Sequence, residues 1–243
     1  MEWRVIHRDV TESTNKDALG GMPGDVFTAN LQTAGKGRLD HRWLSPYGEN
    51  LMMSVVLDVS ALPPHEVAAL PLVAGLAAAE TVHGLFAGRG GVGISGPVRI
   101  KWPNDVLVGR RKICGILCER NGDSAIVGIG LNVNQKSFDP VLEDRATSMV
   151  REVPPDWNVE RVRDVALANI ASSVAEWGNG GFAALWPRIA QRDFLKGRQV
   201  SVLRTDDDSL PASGMCGGIL KDGSLDVGGE AVYAGEAHVA EPH

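Results

Sequence analysis

The chain has 243 residues, 44% hydrophobic and 22% charged, enough to bury a sizeable core in one large domain or in one domain with a small appendage. Its net charge of -6 argues against affinity for nucleic acid built on phosphate neutralisation. Three cysteines (Cys114, Cys118 and Cys216) make no disulfide framework, the N-terminal MEWRVIHRDVTEST lacks an apolar leader, and no apolar run reaches the roughly 20 residues of a membrane span, so a cytoplasmic protein is expected.

In chain order, a short strand is predicted over Trp3 to His7, and a polar cluster follows at Thr11–Asp17. Thr14 and Asp17 have capping-box spacing, which predicts a short helix starting there. GGMPGD is a turn, and Val26 to Gln32 is a strand running into a glycine-rich loop, Thr33 to Arg38. Asn50 to Val59 is apolar enough to be a buried strand. Residues 66–86 have helical spacing, with Pro71 implying a kink or a late start. Gly88 to Pro97 reads as an exposed loop.

A meander comes next: Val98 to Trp102, stopped by Pro103, then Val106 to Val108, Lys112 to Glu119 and Ala125 to Val133, with turns at 109–111 and 121–123. Such short spacings favour antiparallel pairing. Two helices are predicted over 159–177 and 181–194, the second interrupted by Pro187. At about Gly197 the composition changes to short β-like pieces separated by Gly and Asp turns, which suggests a small β-barrel closing an α+β chain. The expected domains are therefore 1–196 and 197–243.

Three segments carry chemistry. In KWPNDVLV, strand alternation puts Val98, Ile100 and Trp102 on one face and Arg99 and Lys101 on the other, with Asn104 and Asp105 in a turn at the strand's tip. A lysine so placed can grip a phosphate or carboxylate oxygen, although the local pattern alone also fits a surface lysine beside a common turn. In LQTAGKGRLDHRW, Gly35 and Gly37 let backbone N–H groups approach an anion, and Lys36, Arg38 and Arg42 add positive charge. Gly-Lys followed by Gly is not a Walker A loop. In VGIGLNVN, glycines inside a strand mark either a bulge packed on a helix or the close approach of a ligand. Cys114 and Cys118 share a strand face, but no further zinc ligands stand nearby, so core packing is expected and no metal site is assigned. His7 and His41 have no sequence-local Ser or Asp partner that would suggest a triad, and receive no catalytic role.

ESTNKDA, QTAGKGR…RW, KWPNDV, RKICGILCE and VGIGLNVN, in this order and spanning essentially the whole chain, resemble the biotin protein ligase family. The resemblance implies an α+β fold: a mixed β-sheet with helices, of the class II synthetase-like biotin ligase type, followed by a small SH3-like β-barrel. It implies a two-step reaction, with biotin activated by ATP and Mg2+ to biotinyl-5′-AMP and then passed to a lysine of a biotin carboxyl carrier domain. By the same resemblance Ser13, Thr14, Asn15 and Gln32 would hydrogen-bond the ureido head of biotin, with Gly115 beside that pocket. Gly35, Lys36, Gly37 and Arg38 match a loop closing over biotin and the adenylate phosphate, Lys101 the lysine on the biotin carboxylate and α-phosphate, and Trp43 a cover for adenine. Asn104, Asp105 and Asn132 match further site positions, Asn132 near the nucleotide or metal and Asp105 as a candidate base for the second step.

The family loop often reads GRGRxGRxW, so Asp40 and His41 replace a Gly-Arg pair here. The sequence starts at the catalytic domain, so a ligase without operator binding is expected: no nucleic acid, no membrane, and a homodimer allowed. Two alternatives are a lipoate or octanoate ligase or transferase of the same fold, and a non-catalytic biotin-binding homologue.

Overall fold

The computed structural model describes residues 2–39, 41–91, 94–205 and 210–240; Asp40, singled out above, lies outside them. Seven strands form one sheet: β1 (Arg4–Thr11), β2 (Asp25–Gln32), β3 (Leu51–Asp58), β4 (Val98–Lys101), β5 (Asp105–Val108), β6 (Arg111–Asn121) and β7 (Ser124–Leu131), in the order β1-β2-β3-β7-β6-β5-β4. β1 and β2 run parallel and every other neighbouring pair is antiparallel, so the sheet is mixed. The meander from β4 to β7 pairs as its short turns require.

Both faces of this sheet are covered. Val26, Val55 and Val127 point into the main core, whereas their neighbours Phe27, Val56 and Ile126 point the other way onto Ala18 of the short helix α1 (Thr14–Ala18). Burial on both faces explains why β3 reads as an unbroken apolar run rather than an alternating one. The main core is closed by α3 (Leu70–Gly88) and by α5 (Val159–Gln191), a helical run broken at Gly181. α3 is long and apolar enough to cross a membrane by length and composition alone, but twelve of its residues are buried in this core.

Several boundaries differ from expectation for identifiable reasons. The predicted helix over 66–86 is two: α2 (Pro64–Ala68) precedes α3, and Pro71 sits in the first turn of α3, where its missing N–H costs nothing. The predicted capping box does not form. Ser13, not Thr14, is the N-cap of α1, and Thr14 turns its backbone N–H and hydroxyl toward Gln32. β1 continues past His7 to Thr11 because parallel pairing with β2 satisfies its backbone whatever the side chains. The last helix ends at Gln191, leaving Asp193 to accept from the N–H groups of Leu195 and Ile219.

The C-terminal pieces form a second, five-stranded antiparallel sheet from β8 (Gln199–Arg204), β9 (Ala212–Ile219), β10 (Leu225–Val227), β11 (Glu230–Val232) and β12 (Gly235–Val239), in the order β11-β10-β9-β8-β12. It is fastened to the rest of the chain: Cys216, Ile219 and Leu225 belong to the main core, and the indoles of Trp102 and Trp186 donate to the carbonyls of Gly223 and Ile219. This seam carries the edge of β12 up to the tip of the large sheet.

Candidate functional site

A cleft opens where four structures meet: the start of α1, the loop after β2, the β4–β5 turn and β12. Each lies there for a local reason. The β4–β5 hairpin sets Lys101 opposite Asp105, with Val98 and Ile100 anchored in the core on the other face of β4. Asn104 holds the turn down: its side chain donates to the Ile116 carbonyl at 2.8 Å, and its own carbonyl accepts from the Ile116 N–H. The loop after β2 folds back on itself, with Trp43 N–H donating to the Gly35 carbonyl and Gly37 N–H to the His41 carbonyl. At its tip Leu39 has φ 51, the left-handed region that a branched residue occupies only under constraint.

One end of the cleft is neutral and polar. Ser13, Thr14 and Asn15 are buried there beside Gln32, whose side-chain oxygen accepts from the Thr14 N–H at 2.7 Å. The other end is cationic, with Lys36, Arg38, Arg42, Lys101 and Lys112 around it. Lys112 pairs with Asp105 at 2.6 Å. Arg38 is half-buried and its Nη1 donates to the Gly235 carbonyl of β12 at 3.0 Å. Burial pushes the Arg38 guanidinium down from its ordinary value, and the carboxylates of Glu236 and Asp105 oppose that. A partly desolvated cation with donors to spare is suited to an oxyanion.

The glycines of β6 and β7 have a sharper explanation than either alternative drawn from the sequence. The β6–β7 register runs without a bulge, with Gly115 opposite Gly130. A Cβ on Gly130 would lie 2.4 Å from the Trp43 ring, and one on Gly128 would lie 2.2 Å from Asn15 Oδ1. The glycines therefore make room for the chain's own cleft side chains. Trp43 lies flat on this floor, with its indole N–H buried and without an acceptor among the described residues. Gly128→Ala is expected to cost about 1–3 kcal/mol by overpacking against Asn15. Gly84→Ala, at an exposed helical position with nothing within 4 Å of the new Cβ, is expected to be neutral or stabilising by up to about 1 kcal/mol. Denaturant midpoints of the two variants check the contrast.

Of the residues expected at a site, Ser13, Thr14, Asn15, Gln32, Lys36, Gly37, Arg38, Trp43, Lys101, Asn104, Asp105 and Gly115 line the cleft. Gly35 and Asn132 do not. Gly35 is buried behind Trp43, where a Cβ would lie 2.6 Å from the Trp43 carbonyl. Asn132 is buried and donates to the Thr147 carbonyl, tying the end of β7 to the segment before helix α4 (Met149–Glu152). Reasoning from sequence missed Lys112, Glu236 and Ala237, and it gave no role to His41, which also lines the cleft with Nε2 3.8 Å from Glu236. Lys112 lies inside the RKICGILCE segment but was given no role there, whereas nothing in the local sequence around Glu236 signals its position. Cys114 is buried under the floor, its thiol pushed up to about 12 by desolvation, so it stays protonated at neutral pH.

Residues 9–135 match the family described as Biotin/lipoate A/B protein ligase. The chain is 31% identical to the biotin–[acetyl-CoA-carboxylase] ligase of Mycobacterium tuberculosis, over 98% of this chain and 89% of that one. It is 37% identical to the bifunctional ligase/repressor BirA of Bacillus spizizenii over 61% of this chain, and 28% identical to that of Escherichia coli over 89%. It spans only 47% and 66% of the lengths of those two proteins. Among solved structures, the biotin protein ligase of Aquifex aeolicus in complex with biotin and ATP superposes with a TM-score of 0.84 at 25% identity, covering 97% of this chain and 99% of that one.

Proposed function

The chain belongs to the biotin/lipoate A/B protein ligase family, and on that footing we propose that it is a biotin–protein ligase, which activates biotin with ATP as biotinyl-5′-AMP and transfers it to a lysine of a carrier domain. The observation that carries this reading is the polarity of one continuous cleft, a neutral hydrogen-bonding end at Thr14 and Gln32 and a cationic end at Arg38, Lys101 and Lys112. Biotin has the matching polarity, with a urea at one end and a carboxylate at the other. A dithiolane or plain alkyl chain would leave the buried groups at the neutral end unpaired, which disfavours lipoate and octanoate.

The first step joins two anions, a carboxylate and the α-phosphate, with pyrophosphate as the leaving group. In this reading Lys101 and Arg38 neutralise both partners and hold them in line, and the carboxylate needs no general base because it is already ionised. Ser13, Thr14 and Gln32 hold the ureido head beside Gly115, Gly35 and Gly37 shape the loop over it, and Asn15 orients its neighbours. Lys36, Asn104, Trp43 and, more remotely, Asn132 serve the nucleotide side. Asp105 accepts the proton of the acceptor lysine once released from Lys112.

No cluster of three His, Cys, Asp or Glu exists among the described residues. A magnesium ion accompanying ATP would be carried mainly by phosphates and water, with Asp105 and Glu236 as the carboxylates lining the cleft. When bound, the ion would offset phosphate charge. We take residues 1–196 as the catalytic domain and 197–243 as the SH3-like domain, the protein as cytoplasmic, and the acceptor as a biotin carboxyl carrier domain of a biotin-dependent carboxylase. Labelled-biotin transfer with ATP, magnesium and such a domain tests the reading. Transfer of lipoate but not biotin would replace it with the lipoate alternative, and binding of biotin without pyrophosphate release would leave a non-catalytic binder.

A further inference from the structure

Behind the neutral end of the cleft lies a hydrogen-bond chain that no expected site residue explains, centred on Ser54 in the middle of β3. Ser54 is fully buried, and its hydroxyl contacts Thr14 Oγ1 at 2.7 Å and Asn15 Oδ1 at 2.6 Å. Asn15 in turn spends its side-chain amide on Glu119 Oε2 at 2.5 Å and on the Leu117 carbonyl. Thr14 contacts Gln32 Oε1 through both its N–H and its hydroxyl, at 2.7 and 3.1 Å.

Counting protons fixes the direction of this chain. Asn15 Oδ1 can only accept, and it is buried, so it requires the Ser54 proton. Ser54 oxygen can then accept, and the Thr14 hydroxyl, with one proton to give, satisfies it. Gln32 Oε1 is already served by the Thr14 N–H. With its proton drawn inward, Thr14 presents lone pairs to the cleft. With its oxygen held, Gln32 presents its amide N–H group.

We propose that Ser54 is a positioning residue that sets the donor and acceptor pattern of the substrate pocket: Thr14 as an acceptor and Gln32 as a donor, side by side. That pattern complements a cyclic urea, whose ring N–H donates and whose carbonyl accepts. The inference rests on the biotin reading above and assigns the discrimination of that pocket to a residue that never touches the substrate. Without Ser54 the Thr14 proton is free to rotate into the cleft, and Asn15 Oδ1 loses its donor.

The test compares wild type, Ser54→Ala and Ser54→Cys by calorimetric titration with biotin and with desthiobiotin, which keeps the urea ring but lacks the sulfur ring, and by steady-state pyrophosphate release. Ser54→Ala is expected to weaken both ligands equally, by about tenfold, the worth of one well-placed hydrogen bond. The loss should fall on KM for biotin and not on KM for ATP. Ser54→Cys, which keeps a weak donor of similar size, should lie between the two. Thermal melting confirms that the variants are folded. Equal binding by wild type and Ser54→Ala overturns the relay alone, as does a variant in which KM for biotin and KM for ATP rise together. A wild-type protein that binds no biotin overturns the ligase reading and the relay with it.

Discussion

Lys101→Ala is expected to reduce adenylate formation by ~10²–10³-fold while the protein stays folded. Lys101 ends β4 and lines the cleft at the level of Asp105, whereas Val98 and Ile100 hold the strand into the core from its opposite face. Removing the ammonium therefore strips charge stabilisation from the first step without opening a cavity. Lys112 cannot substitute, because Asp105 already holds it. The measurement is pyrophosphate release with biotin and ATP, paired with thermal melting. Release near the wild-type rate from a folded variant would remove Lys101 from the reaction.

Arg38→Gly is expected to let the activated intermediate escape, so that biotin labels bystander lysines. Arg38 ties the loop after β2 to the second sheet by a hydrogen bond to the Gly235 carbonyl, and it is half-buried with Glu236 and Asp105 in its field. A charge-assisted contact from this guanidinium to the adenylate phosphate is worth roughly 1.5–3 kcal/mol, so its loss should speed escape by about ten- to a hundredfold where loop opening limits release. Adenylation should suffer less, since Lys101 remains. Incubating each protein with ATP, biotin and albumin, then blotting for biotin, reads the result. Equal and negligible labelling by a variant that still makes adenylate would show that Arg38 is not what keeps the intermediate in.

Local pattern in the sequence was most legible where backbone and side-chain signals agree. The alternation over Val98 to Trp102 and the turn chemistry at 109–111 and 121–123 located the meander and its antiparallel pairing, though Asp105, expected in the turn, instead begins β5 opposite Lys101. The break at Gly197 located the second sheet. What escaped was long-range. The strand predicted over Trp3 to His7 is there, but its continuation to Thr11, largely exposed and paired in parallel with β2, lacks the apolar alternation that announces a strand. The capping-box spacing at Thr14 was overridden by Gln32, eighteen residues away, which offers a better partner than the helix's own N-terminus. Gly128 and Gly130 looked like ligand contacts or a bulge, because nothing local says that Asn15 and Trp43 fill the space above them. Glu236 and Ala237 arrive in the cleft by docking of one sheet against another, which no short window encodes.

The bond from Arg38 to Gly235 joins residues 197 positions apart. Its consequence is one of timing. A ribosome adding roughly 5–20 residues per second needs about 10–40 s to travel from the loop to β12. Through that interval the large sheet can pair, because its last strand, β7, ends at Leu131, but the wall formed by Glu236 and Ala237 does not yet exist. A nascent chain can thus have Lys101 and the neutral end of the cleft in place while lacking the strand to which the loop is tied. Because the anchor of the loop lies 197 residues downstream, closure of the cleft is deferred until β12 has been made.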